Sequence, residues 1–258
     1  MLLLIAESKT MAGCTANVGR EEYAAHTPMF EEEADGIMQS LRDASVDSLA
    51  ADVKISQQMA RKLLQMIYEF PNKITGGRAI ESFTGVVFKA FDYPSLPADA
   101  KLRADERIRL ISSLYGWLRP DDFIKAYRFD FTTPLAPEGK SFAAYWRGMV
   151  TEAIVHYLNE MGEKNILNLL PGDAARCIDW KTVSSHARVW KADFREMLPG
   201  GKTRTPNAGR LKTLRGQLLR QIVTENITDP EGLLGLCSES YAGTDAPEAD
   251  GSIVFHTV

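Results

Sequence analysis

LYGWLRPDDFIKAYRFD, residues 114–130, decides how the rest of the chain is read. Its seventeen residues hold two arginines, three acids, a lysine, two tyrosines and a tryptophan, more polar and aromatic chemistry than a plain core or a plain loop needs. Gly116 and the Arg119-Pro120 step punctuate it, and the periodicity upstream predicts a helix over 104–118 that ends at this bend. Ile108, Ile111, Leu114, Tyr115 and Leu118 would share one face of that helix. A residue before proline is pushed to an extended backbone, so Arg119 is expected to leave the helix end. Asp122, Arg128 and Asp130 follow within reach, and Tyr115, Trp117 and Tyr127 supply flat surfaces. Such a group suits a cleft that holds a phosphate or a base, and it equally suits a salt-bridge network that fixes a turn.

Outward from this stretch, MLLLI at 1–5 reads as a fully buried first strand closed by the polar turn ESKT. Its apolar run is too short for a signal peptide and stops at Glu7. Helices are expected at 31–45 and 47–70, and a strand over FTGVVFKAF (83–91) with a bulge at Gly85. Residues 143–161 are the clearest helix, with Trp146, Met149, Val150, Ala153, Ile154, Tyr157 and Leu158 in helical register and Gly162 as its stop. NILNLLPGD (165–173) reads as a short strand and a Pro-Gly turn, HARVWKADF (186–194) as another strand, 200–209 as a loop, 210–227 as a helix and SIVFHTV (252–258) as a last strand. The expected fold is mixed α/β, with a single main sheet flanked by helices and a helical hairpin insertion at about 31–70 in one domain spanning 1–258.

The 258 residues are 45% hydrophobic, enough for a large core, and carry a net charge of -4, so any basic surface must be local. Cys14, Cys177 and Cys237 are odd in number and far apart, and the four histidines are scattered, which argues against a disulfide framework or a metal centre and for a reducing cytoplasm. No cofactor is implied. No apolar run reaches membrane-spanning length.

Two further segments carry chemistry. In DSLAADVKISQQMARKLL (47–64) a first helix ends near Asp52, VKIS turns, and Ser56 can cap a helix that starts at Gln57. The spacing fits a helix-hairpin-helix whose second helix offers backbone N–H groups to a phosphate, with Lys54 and Lys62 adding charge. Both turn glycines of that pattern are replaced, by Lys54 and Ser56, and a plain packing hairpin fits the same residues. Residues 197–224 hold Lys202, Arg204, Arg210, Lys212, Arg215 and Arg220 with no acid, a local excess in an acidic protein. On the helical wheel Arg210 and Arg220 face solvent. Arg215 falls beside the apolar stripe, where it needs an acidic partner or a ligand.

These residues together resemble the YaaA family of bacterial peroxide stress proteins over nearly the whole chain. LYGWLRPDD (114–122), AYRFD (126–130) and LKTLRG (211–216) with Arg220 carry the resemblance, and Lys9-Thr10, Gly85, Trp146, Asn168-Leu169 and Tyr241 fall in family order. It implies a cytoplasmic protein that binds double-stranded or distorted DNA and limits oxidative damage; apart from the resemblance, a monomer is expected. It further implies a positively charged cleft formed from Lys9, Arg119, Asp122, Arg128, Asp130, Lys212, Arg215 and Arg220. The family's Ser-Pro-Ala before Lys-Thr reads Ala6-Glu7-Ser8 here, and its Asn-Leu-Ala-Ser with a following Glu-Tyr reads NLLPGDAA, with Asp173 near the place of the Glu. A second reading is an enzyme that cleaves a glycosidic bond of a nucleotide or nucleobase, with Asp122, Asp130 and Asp173 as candidate catalytic acids. Iron binding ranks third, because the His and Cys residues lack ligand spacing.

Overall fold

The computed structural model of the chain describes residues 1–12, 26–72, 76–244, 246–248 and 250–257. Cys14 lies outside them.

Strand β1 (Leu2–Ala6) is buried along its whole length, as a strand covered on both faces must be. Then come α1 (Glu31–Ser40), α2 (Val46–Val53), α3 (Gln57–Glu69), β2 (Gly77–Arg78), α4 (Ala79–Ser82), α5 (Val86–Phe91) and α6 (Ala98–Arg107). Strands β3 (Ile108–Ser112), β4 (Gly116–Leu118) and β5 (Phe123–Ile124) lead to α7 (Phe142–Met161), β6 (Asn165–Asn168) and α8 (Trp180–Ser184). Strands β7 (Arg188–Met197) and β8 (Thr203–Arg204), helix α9 (Ala208–Thr224), and strands β9 (Tyr241–Gly243) and β10 (Ser252–Thr257) complete the order.

The main sheet runs β4-β3-β1-β6-β7-β10-β9, with β8 paired to β7. Strands β3, β1, β6, β7 and β10 are mutually parallel, and β4, β8 and β9 are antiparallel at its margins. The chain leaves β1 toward β3 on one side, while it leaves β6 toward β7 on the other. Connections that diverge from two adjacent parallel strands open a crevice at their carboxyl ends, the usual place for a ligand in such sheets.

Two expectations are corrected. The helix expected over 104–118 stops at Arg107, and 108–118 is a β-hairpin. Every residue of 108–118 is buried, so the apolar positions that matched a helical face belong to a strand pair with no polar face. Gly116 turns this hairpin at φ 65°, and a Cβ there would stand 2.6 Å from the Trp146 ring. Trp146 is fully buried in α7 and donates its indole N–H to the Ser113 carbonyl at 2.8 Å. The segment read as a strand at 83–91 is helix α5, only six residues long and too short for its Val and Phe content to reveal a period.

The remaining elements lie close to expectation. Ser141 caps α7 and Gly162 ends it in the left-handed region. The loop read at 200–209 contains the short strand β8. The helical hairpin at 47–64 is present as α2 and α3, which pack on each other. Lys54 sits in its turn at φ 56°, where glycine is usual, and Ser56 accepts the Met59 N–H at 3.3 Å.

Candidate functional site

At the carboxyl ends of β1 and β6 a cleft of about 360 Å³ opens. Glu7, Ser8 and Lys9 enter it directly after β1, and Pro171 and Asp173 enter after β6. Asp130 comes from the return of the 114–130 stretch and Lys212 from α9. Val86, Val87 and Phe88 of α5 and Phe131 form the apolar wall. Gly216 lets α9 approach α5 closely enough to bring Lys212 there: a Cβ at 216 would lie 2.3 Å from the Val87 carbonyl oxygen.

Glu7 is the most unusual group in the cleft. Its Oε2 accepts the Ser113 N–H at 2.9 Å and the Tyr127 hydroxyl, and its Oε1 accepts the Ser113 hydroxyl at 2.5 Å. Tyr127 is anchored in turn by Ser112 Oγ at 2.6 Å, and that oxygen accepts the Leu114 and Tyr115 N–H groups. Burial raises the Glu7 pKa to about 7 against the pull of these donors. Asp130 goes the other way. Burial alone would raise it, but hydrogen bonds from Thr132 and from Lys9, whose Nζ is 2.9 Å away, outweigh that and hold it at about 2. One cleft therefore holds one carboxyl that keeps its proton near neutrality and one that does not, the separation that acid–base chemistry uses.

Arg128 donates to the Lys9 carbonyl at 2.9 Å and lines an adjoining groove of about 280 Å³. Lys9 and Thr10 belong to both hollows, and Met59, Lys62 and Met66 bring α3 to the groove. Arg215 stands one helical turn from Lys212. Burial lowers its pKa and the neighbouring Asp173 carboxylate opposes that, so the expected acidic neighbour is present without a hydrogen-bonded pair among the described residues.

Other expected members of the cleft lie elsewhere. Arg119 and Asp122 are at the far end of β3, because β4 runs antiparallel to it and carries the chain away from the cleft before residues 123–130 bring it back. Arg119 is exposed, and its backbone N–H binds Asp122 Oδ2 at 2.7 Å. Arg220 does not point freely to solvent. It donates to the Phe91 and Asp92 carbonyls at 2.9 Å each, closing the end of α5. Arg204 pairs with Glu196 at 2.6 Å, while Lys202 lies on the turn before β8 and Arg210 on the first turn of α9. At the hairpin, Gln57 donates to Asp47 at 2.9 Å.

Glu7 carries no mark in the sequence beyond ending an apolar run. The available signal was an acid set immediately after a strand buried along its whole length. Tyr127 was expected as a stacking surface. It is buried instead, and its hydroxyl orients Glu7.

Fold and cleft define a mixed α/β protein with a mostly parallel sheet and a polar site at its topological switch point. The family model described as peroxide stress protein YaaA matches residues 1–246. A UPF0246 protein of Parabacteroides distasonis is 30% identical over 258 residues, covering 99% of both chains. One from Rhizorhabdus wittichii is 30% identical over 243 residues, covering 94% of this chain and 93% of its own. One from Neisseria meningitidis is 30% identical over 227 residues, covering 86% of each. The chain belongs to the YaaA family of peroxide stress proteins, and that membership supports a role in oxidative stress.

Cys177 is buried close to Glu7 and Asp173, and burial pushes its thiol pKa up, which disfavours the thiolate that reacts with peroxide. Among the described residues no group of three or more His, Cys, Asp or Glu is placed to hold a metal ion, and no helix is long and apolar enough to cross a membrane.

Proposed function

We propose that the protein acts in oxidative stress as a cytoplasmic monomer that binds double-stranded or distorted DNA without strong sequence preference. The observation that carries this reading is the groove in which Lys62 of α3 meets Lys9 and Arg128. It joins the helical hairpin to the cleft and concentrates positive charge in a chain of net charge -4. The hairpin serves as a helix-hairpin-helix: Lys54 and the N-terminus of α3, capped by Ser56, take one stretch of phosphates, and Lys62 and Arg128 take the next. Contacts of this kind grip the backbone and read no bases.

Binding to several unrelated duplexes, each titrated with salt, tests it. Lys62→Ala and Lys54→Ala should each weaken binding equally on every sequence and reduce the salt slope by about one unit, because one phosphate contact and its released counterion are lost. Affinity and slope left unchanged by both, with binding abolished by Arg210→Ala or Lys212→Ala, would reduce the hairpin to a packing element.

A further inference from the structure

The groove gives a task to Lys9, Lys62 and Arg128 and leaves the cleft beside it without one. That cleft holds carboxyls that a surface made only to grip phosphates does not need. Glu7, Asp130 and Asp173 face one cavity, opposite a wall that includes Phe88 and Phe131. Its volume of about 360 Å³ suits one nucleotide and not a polymer.

We propose that this cleft hydrolyses the N-glycosidic bond of a single nucleotide unit, free or extruded from a DNA strand, with Glu7 as the proton donor to the departing base. The apolar wall takes the face of the base. Lys212 and Arg215, one turn apart on α9, meet the phosphate, and Lys212 has no ion pair among the described residues. Ser113 and Tyr127 fix the Glu7 carboxyl in orientation. Its pKa of about 7 leaves a large protonated fraction at neutral pH.

In the reaction the C1′–N bond breaks with its electron pair going to the base nitrogen, which takes the Glu7 proton. A water oxygen bonds to C1′ and passes its proton to Asp173. Asp130, held ionised by Lys9 and Thr132, offsets the positive charge that builds on the sugar ring. The products are the free base and the sugar phosphate, Asp173 gives its proton to solvent, and solvent returns one to Glu7. The DNA form of this activity rests on the DNA-binding reading above, while the free-nucleotide form stands without it.

The test incubates the full chain with ribo- and deoxynucleoside 5′-monophosphates. In a separate arm it is incubated with duplexes carrying one oxidised or deaminated base. Chromatography reads released base, and alkaline cleavage reads abasic sites. Release in either arm is expected, and Glu7→Gln should slow it by about a hundredfold or more. Tyr127→Phe removes a donor to ionised Glu7 while keeping the ring, so it should move the alkaline limb of the rate profile to higher pH. That readout serves even if Glu7→Gln fails to fold. No base release from either substrate overturns the inference, and so do an equal rate in folded Glu7→Gln or an unmoved limb in Tyr127→Phe. DNA binding is followed in parallel. Binding without base release removes this inference and leaves the DNA reading standing, and release from free nucleotides without DNA binding does the reverse.

Discussion

The two ends of the β3–β4 hairpin each hold a carboxyl whose pKa burial raises to about 7, Glu7 at one and Asp122 at the other. Glu7 opens on a cavity and is gripped by three donors. Asp122 is 2% exposed and its carboxylate, among the described residues, accepts only the Arg119 N–H on Oδ2, while its Oδ1 is buried with no partner among them. Nearby, the Arg109 guanidinium is buried 4.7 Å from the centre of the Tyr157 ring. The same desolvation acts on both carboxyls, so a raised pKa by itself marks burial. Access to a ligand and a network that orients the group are what separate a working acid from a closed polar core.

The largest expected effect breaks or confirms this contrast through pH. Glu7 must be protonated to act as a donor, so the rate of base release should fall tenfold per unit above about pH 7, roughly a hundredfold by pH 9. A level profile across that range, measured on saturating nucleotide, would make Glu7 as silent as Asp122.

Asp122 should respond in stability instead. Its folded pKa lies above the ordinary carboxylate value, so the folded state binds more protons than the unfolded one between about pH 4 and pH 7, and stability falls as pH rises through that window. Asp122→Asn removes the titration. Relative to the wild type it should gain about 1–3 kcal/mol between pH 5 and pH 8 in denaturant melts. A constant difference at both pH values would show that Asp122 does not bury a charge.

Ser56→Ala supplies the reference with no titrating group. Loss of the α3 cap should cost about 0.5–2 kcal/mol, equally at pH 5 and pH 8. A pH-dependent cost there would undermine the assignment of the Asp122 effect to a single carboxyl.

Much of the frame was legible in the sequence, for physical reasons that can be named. The all-apolar run of β1, the three-and-four spacing of α7 and the cap-bounded hairpin of α2 and α3 each have a period or a punctuation mark specific to one structure. Residues 108–118 have neither. Arg109, Ser112 and Ser113 are buried along with their apolar neighbours, so nothing in the polarity pattern separated strand from helix. Of the site, Lys9, Asp130, Asp173 and Lys212 were legible as cleft members and do meet in one cleft. Arg119 and Asp122 were grouped with them through nearness in sequence, which a hairpin turns into distance. Glu7 was missed because its environment is built by Ser113 and Tyr127, more than a hundred residues away along the chain.

Gly216 sets a limit on the width of the cleft. The first carbon added at this position already collides with the Val87 carbonyl, so no series of ever larger side chains leads from this cleft to a wider one. The width of the cleft can instead be varied through residues on its apolar wall, such as Val86 or Phe88. Any side chain at 216 would press α9 away from α5 and shift Lys212 and Arg215 with it.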